Sequence, residues 1–196
     1  MTFMYNLVAF AIPIGVLAGS VQVVDQFCVG KGGVGPFKAG GGWVSFQAWA
    51  LYFLAASFNP VEVGTNGING MLWTMISYTL GIIASVAIFE MGGALGKLGF
   101  WAMPITLLIL CIPVIFLQLT SAPFNYVPAL FCGAGVFFCI MSYFPSIPGS
   151  FKEGGSKWSN YLSAGIGELF YCLIGLIAGF LTVAWSGLDF VLKLNG

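Results

Sequence analysis

Two stretches of this chain, one near its beginning and one just past its middle, are similar at a constant spacing of 91 residues. Six residue pairs are identical in the first part of this alignment: Leu7/Leu98, Ala11/Ala102, Pro13/Pro104, Ile14/Ile105, Leu17/Leu108 and Val23/Val114. The same spacing continues to Tyr52 and Tyr143. An internal repeat means that one structural unit is used twice, so it constrains the architecture of the whole chain.

Each copy of the repeat contains three long apolar segments. A helix that crosses a bilayer needs about 20 mostly apolar residues. The segments of about that length are residues 5–24, 42–58, 68–90, 99–119, 126–146 and 161–184. Three crossings in the first copy make the second copy enter the membrane from the opposite side. We therefore predict an all-α polytopic membrane protein, one domain over residues 1–196, with six transmembrane helices in two inverted three-helix repeats (about 5–90 and about 99–184).

The composition supports the membrane class and limits the partners. Hydrophobic residues make up 59% of the chain and charged residues 6%, and the mean hydropathy is +1.00. A soluble domain carries about 25% charged residues. The net charge is zero and Arg and His are absent. The expected partner is the lipid bilayer, and nothing in the charge pattern indicates nucleic acid.

The orientation follows from the lysines, which favour cytoplasmic connections. Five of the six lie in the first, third and fifth connections: Lys31, Lys38, Lys97, Lys152 and Lys157. This distribution predicts that both termini face away from the cytoplasm. Residues 1–20 could be read as a cleaved leader, but they lack a basic beginning and match an internal segment. We interpret them as part of the first membrane helix.

Glu168 is the most informative single residue, because it lies within the last apolar segment. A carboxyl group at membrane depth is costly in lipid, so Glu168 is expected to face the protein interior or a wet cavity. It could bind a cation or a proton, or accept hydrogen bonds from an amide-like solute. Alternatively, it is a structural residue bonded to a neighbouring hydroxyl or amide. At a spacing that grows to 97 residues, its counterpart in the first half is Met71.

Prolines in the middle of predicted spans are a second candidate feature. Pro13 and Pro104 occupy the same place in the two copies, where a proline would kink a helix and free a carbonyl group. Such carbonyl groups can bind a solute where they line a cavity. Prolines are also tolerated in membrane helices for shape alone, so both interpretations stay open.

Amide and aromatic side chains complete the set of pore or solute-binding candidates. Asn59, Asn66 and Asn69 cluster before and at the beginning of the third span, where they could replace the hydration of a polar solute or simply cap a helix. Tyr52 and Tyr143 could narrow a pore or pack in the core. No residue pattern indicates an enzyme, a metal site or a cofactor.

Two glycine pairs and the cysteines are expected to be architectural. Gly15-x-x-x-Gly19 and Gly175-x-x-x-Gly179 have the spacing that allows two membrane helices to approach closely, within a subunit or between subunits. Four of the five cysteines lie in apolar segments, where they are predicted to be small packing residues.

The segment Gly42-Trp43-Val44-Ser45-Phe46-Gln47-Ala48-Trp49-Ala50-Leu51-Tyr52-Phe53 resembles the Trp-Ala-x-Tyr-Phe core of the YcdZ-like family of bacterial inner-membrane proteins. Residues 127–131, with Phe137 and Phe138, are also similar to that family. The resemblance implies a small multi-pass protein of the bacterial inner (plasma) membrane. It implies no substrate and no functional residues.

Two hypotheses for the function follow. The first is a channel or facilitator for a small uncharged or weakly acidic solute, built as a homo-oligomer with cyclic symmetry. It is favoured by the inverted repeat, the short length and the scarcity of intramembrane charge. The second is a non-transporting membrane subunit that scaffolds a larger complex, which glycine-rich helix faces and low charge would serve equally well.

Overall fold

A computed structural model describes residues 12–29, 42–58, 67–120, 127–142 and 156–186. All regular secondary structure in these residues is helical, as predicted. The α-helices are α1 (Ile12–Val29), α2 (Gly42–Phe58), α3 (Gly67–Ala94), α4 (Ala102–Thr120), α5 (Val127–Ser142) and α6 (Lys157–Ser186), and a 3-10 helix (Gly96–Trp101) precedes α4. Each of the six predicted apolar segments therefore overlaps one α-helix.

Three of the helices are long and apolar enough to cross a bilayer. They cover Met71–Ala94, Gly96–Leu117 and Lys157–Thr182, and a shorter apolar helix covers Pro128–Met141. These three segments, found among the described residues, indicate a membrane protein. Three such helices support part of the predicted set of six spans.

Helices α2 and α6 form one of the two closest helix pairs. Gly175 lies against the backbone of Ser45, and an added Cβ would overlap the Ser45 carbonyl oxygen. One turn later, a Cβ on Gly179 would come within 2.8 Å of Tyr52, while the Ser45 hydroxyl donates a hydrogen bond of 2.9 Å to the carbonyl oxygen of Tyr171. The predicted close packing at Gly175 and Gly179 is confirmed. Because the residue numbers rise together along this contact, α2 and α6 run in the same direction.

Helices α3 and α5 form the other close pair, by the same means. A Cβ on Gly81 would overlap the carbonyl oxygen of Leu130, and a Cβ on Gly133 would overlap the backbone of α3. The Ser85 hydroxyl donates a hydrogen bond of 3.1 Å to the carbonyl oxygen of Ala134. The contacts advance from Gly81 and Leu130 to Ser85 and Ala134, so α3 and α5 also run in the same direction.

The two pairs meet where α3 packs against α6. Glu90 near the end of α3 contacts Lys157 at the beginning of α6, and Ile82 in the middle of α3 faces Gly165 further along α6. Residue numbers fall along one helix as they rise along the other, so α3 and α6 are antiparallel. It follows that the α2–α6 pair and the α3–α5 pair point in opposite directions.

The position predicted for Pro104 is wrong. Pro104 is the third residue of α4, directly after the 3-10 helix, and not in the middle of a helix. In the first turn a proline removes no intrahelical hydrogen bond, so no kink is needed. The proline inside α4 is Pro113. Pro13 is the second residue of α1, and the residues before Ile12 lie outside the described part.

The short connection between α3 and α4 contains Gly99, whose backbone conformation favours glycine. Gly99 has φ of 55° and ψ of −124°, a conformation that side chains with a Cβ disfavour. It interrupts the 3-10 helix, so the chain changes direction before α4 begins. Phe100 and Trp101, which follow, are both exposed.

The face of α1 that carries Gly15 and Gly19 is open. An added Cβ at either glycine would meet nothing within 4 Å, so this pair does not provide a close contact among the described residues. The prediction of packing within the subunit is not met here, and packing between subunits stays a prediction. Helix α4 is likewise peripheral, with Leu108, Ile112 and Phe116 all exposed.

The α2–α6 contact predicts a large effect of one methyl group. Gly175→Ala places a Cβ on the Ser45 carbonyl oxygen and should lower the free energy of unfolding by about 1–3 kcal/mol, the usual cost of overpacking. Gly167→Ala in the same helix is the matched control, because a Cβ there meets nothing within 4 Å. Thermal unfolding in detergent, followed by tryptophan fluorescence, measures both. Equal midpoints for the two variants would contradict the close contact.

Candidate functional site

Glu168 is buried at the centre of the helix bundle. It lies in the first half of α6, and only 1% of its surface is exposed. The neighbouring Gly165 is also buried, and Ala164 and Cys172, one turn on either side, are fully enclosed. The predicted interior position of Glu168 is therefore confirmed. Exposure to lipid would cost about 2.5–3.5 kcal/mol, which explains why this face of α6 turns inward.

Two titratable side chains lie next to Glu168, and a third lies next to those two. Tyr78 on α3 is within hydrogen-bonding range of the carboxyl group and has no exposed surface. Cys172 on α6 and Cys132 on α5 are within electrostatic range of Tyr78. We call these four residues the Glu168 cluster. It joins the α3–α5 pair to α6, so it lies where the two helix pairs meet.

The polar atoms of Glu168 and Tyr78 are not satisfied by the described part of the protein. Both carboxyl oxygens and the Tyr78 hydroxyl are fully buried, and none of the three has a hydrogen bond of normal geometry within the described residues. Ser77 and Trp49 also carry a buried polar atom without a partner there. A buried polar group without a partner is uncommon and costs about 1–3 kcal/mol.

Other buried hydroxyl groups in this protein do have hydrogen-bond partners. Thr106 and Thr182 each donate to the carbonyl oxygen one turn earlier in their own helix, at 2.8 Å. Ser45 donates to a carbonyl oxygen of the neighbouring helix. These hydroxyls are all satisfied by carbonyl oxygens, so the unsatisfied atoms of Glu168, Tyr78, Ser77 and Trp49 are exceptions among the buried polar groups described.

No cation neutralises Glu168 in the described residues. The lysine nearest to it along the same helix is Lys157, eleven residues earlier, which is about 16 Å along the axis. The ammonium group of Lys157 is bound to Glu90 at 2.7 Å. An ionised carboxylate that is buried without a counter-ion is very unfavourable, so this environment favours the uncharged acid.

A second polar group lies at one end of the α3–α6 contact. The Glu90 carboxylate accepts hydrogen bonds from the Lys157 ammonium group at 2.7 Å and from the Tyr161 hydroxyl at 2.9 Å. The side chains of Lys157 and Glu90 are 51% and 33% exposed, which places this network at the edge of the bundle. The network marks one end of both helices, and from it Glu168 is eleven residues along α6 and Tyr78 twelve residues along α3, about 16 and 18 Å along the helix axes.

The other candidate residues predicted from the sequence are not members of the Glu168 cluster as the structure describes it. Tyr52 is 7% exposed and packs in the core against Gly179. Pro104 is exposed on α4, and Pro13 and Asn69 lie near the described beginnings of α1 and α3. Three further candidates, Asn59, Asn66 and Tyr143, lie outside the described residues.

The residues that sequence reasoning missed are Tyr78, Glu90 and Lys157 as contact partners. Tyr78 stands in a helix that is apolar on all sides, where no polar face identifies it. Glu90 and Lys157 had one available signal, because they are the charged residues that flank the third and sixth apolar segments on the predicted cytoplasmic side. Their pairing across 67 positions could not be read from that signal.

Two apolar pockets lie on the outside of α3. One of about 300 Å³ follows the α3–α6 contact and is lined by residues such as Ile82, Tyr161 and Gly165. The other, of about 210 Å³, lies between α3, α4 and α5 and includes Ala84 and Cys111. Neither pocket includes the Glu168 carboxyl group, which is enclosed on the inner side of the α3–α6 contact.

Comparisons with protein-family models, with curated proteins and with solved structures gave no match for this chain. The similarity of residues 42–53 and 127–131 to the YcdZ-like family therefore stays a prediction.

Two tyrosines give a paired prediction about hydrogen bonding. Tyr161→Phe removes the bond to Glu90 and should lower the free energy of unfolding by about 0.5–1.5 kcal/mol. Tyr78→Phe removes a buried hydroxyl whose contact with Glu168 lacks the geometry of a normal hydrogen bond, so stability should be unchanged or higher. Unfolding of both variants in the same detergent measures the difference. A Tyr78→Phe protein that is less stable than Tyr161→Phe would contradict the unsatisfied state of the Tyr78 hydroxyl.

Proposed function

We propose that this protein is a membrane channel or facilitator for a small uncharged or weakly acidic solute, and not an enzyme. The solute passes along the α3–α6 contact, and the Glu168 cluster is its central binding site. One observation carries the proposal: the Glu168 carboxyl group and the Tyr78 hydroxyl are fully buried next to each other, and neither has a hydrogen bond of normal geometry within the described residues. A solute with hydrogen-bonding groups would supply those partners during passage.

The proposal includes six spans in two inverted repeats, α1–α3 and α4–α6. Helix packing supports it, because exchanging the two halves preserves the contacts: α2–α6 corresponds to α5–α3, α1–α6 to α4–α3, α1–α2 to α4–α5 and α2–α3 to α5–α6. The opposite directions of the two close pairs also agree with this symmetry. In such proteins the solute site lies near the bilayer midplane where the repeats meet.

The described residues leave no open path along the α3–α6 contact, so passage of a solute requires this contact to loosen. Its centre is tightly packed, whereas its edge is held by the partly exposed Glu90–Lys157 pair. Exposed ion pairs contribute only about 0–1 kcal/mol, so this edge can open at small cost. The proposal puts this edge on the cytoplasmic side, as the lysine distribution predicts, in a bacterial inner membrane, as the resemblance to the YcdZ-like family implies.

A second candidate function is favoured by the surface. The open face of α1 at Gly15 and Gly19 and the exposed apolar face of α4 could both receive another membrane helix. In a homo-oligomer the neighbour is a second copy, which is compatible with transport. In a scaffold subunit it is a different protein, and the Glu168 cluster then has no solute to bind.

Flux through proteoliposomes tests the proposal. The wild-type protein should accelerate the entry of at least one of urea, acetamide, glycerol or acetic acid over protein-free liposomes, as measured by stopped-flow light scattering. Glu168→Leu should reduce that flux about tenfold or more, because it removes both hydrogen-bonding atoms of the site. Thr106→Val is the matched control, since it removes a buried hydroxyl on α4 and leaves both the cluster and the Glu90–Lys157 pair intact.

Two results would overturn the proposal. One is unchanged flux in folded Glu168→Leu protein, which would remove this residue from the path. The other is the absence of flux for all four solutes together with stoichiometric co-purification of a different membrane protein, which would support the scaffold function. Each flux is normalised to folded protein, determined by size-exclusion chromatography in detergent.

A further inference from the structure

The chemical form of Glu168 limits what it can bind. An uncharged carboxyl group presents one O–H donor and one carbonyl acceptor side by side, in one plane. In Glu168 both atoms lack a partner within the described residues. The Tyr78 hydroxyl beside them can add one more hydrogen bond as donor or acceptor. A ligand therefore meets a donor and an acceptor at fixed separation, with a third group next to them.

No charged side chain among the described residues faces Glu168, and this makes ionic ligands unfavourable. Among the described residues, the titratable groups next to Glu168 are Tyr78 from α3 and Cys172 from its own helix, Cys132 from α5 lies next to both of them, and none of the three is cationic. An anion would meet no positive group in this low-dielectric interior. A cation would require Glu168 to ionise before binding, at a site with no other carboxylate among the described residues that face it. An uncharged ligand meets neither cost.

We propose that the Glu168 cluster binds small molecules that carry an uncharged carboxylic acid or a primary carboxamide group. Both groups hold an acceptor beside a donor, so each can form two hydrogen bonds at once with the Glu168 carboxyl group. An alcohol has a single oxygen and forms only one of the two. This inference rests on the proposed function and names the solute class of the same site.

The proposal predicts that the Glu168→Gln variant still binds the ligand. A glutamine side chain also presents a carbonyl acceptor beside an N–H donor, and it has nearly the same shape. Glu168→Gln should therefore bind acetamide within about threefold of the wild-type affinity. Glu168→Met has a similar length but no strong hydrogen-bonding atom, so its affinity should fall about tenfold to a hundredfold. A proton-binding or cation-binding role predicts instead that Gln and Met are equally defective.

The experiment is ligand binding to the full-length protein in lipid nanodiscs, followed by infrared difference spectroscopy. Acetamide should shift the C=O stretching band of the uncharged Glu168 carboxyl group in the wild-type protein, and this band should be absent from Glu168→Gln. N,N-dimethylacetamide, which keeps the carbonyl group but has no N–H donor, should bind at least about tenfold more weakly. Acetic acid should compete with acetamide at low pH and lose apparent affinity as pH rises through its own pKa, whereas acetamide affinity stays constant.

Three results would overturn the inference. The first is saturable binding of methylammonium to the wild-type protein that is lost in Glu168→Gln, which would assign the site to cations. The second is loss of acetamide binding in Glu168→Gln to the level of Glu168→Met. The third is equal affinity for acetamide and dimethylacetamide. Binding is measured without flux, so a protein that binds acetamide as expected but transports nothing would overturn the proposed function and leave this inference standing.

Discussion

The close approach of helix backbones at four glycines determines the rest of the structure. Gly175 and Gly179 bring α6 onto α2, and Gly81 and Gly133 bring α3 and α5 together. In a bilayer the hydrophobic effect contributes little to helix association, because the lipid tails are as apolar as the helix surfaces. Van der Waals contact between closely packed helices therefore has to stabilise their association. Because both pairs form in the same way and point in opposite directions, they leave α3 and α6 to meet along one central contact. Glu168, Tyr78 and the Glu90–Lys157 pair all lie on that contact.

The burial of Glu168 is a consequence of this geometry. Glu168 lies seven residues before Gly175 and eleven before Gly179, so it shares their face of α6, and the contact of the glycines with α2 turns that face into the bundle, where Tyr78 of α3 also reaches it. The helix cannot rotate to bring the carboxyl group to water without breaking the glycine contact. Tyr78 is held similarly, because the backbone at Tyr78 is the surface that Gly133 packs against. The unsatisfied polar atoms are therefore held in place by packing and are retained although they cost stability.

The sequence predicted the helices well because bilayer length and apolar runs are strong constraints. It also predicted the interior position of Glu168 and the close contact at Gly175 and Gly179. It misplaced Pro104, because hydropathy cannot distinguish the 3-10 helix before α4 from the α-helix itself. The partners of Glu168 were beyond reach for a different reason. Tyr78 and Glu168 are 90 positions apart, and an all-apolar helix gives no periodic signal for which face points inward.

The two halves share a backbone plan but contribute different chemistry to the centre. The first-half counterpart of Glu168 at the 97-residue spacing is Met71, which packs half-buried against the core. Two carboxyl groups related by symmetry would each raise the cost of ionising the other and would form a site for a proton or a cation. One carboxyl group beside a phenol forms a site for one uncharged ligand. Under the proposed function, the two related halves would bring the path to the midplane, and the different side chains at Glu168 and Met71 would decide what the path can bind.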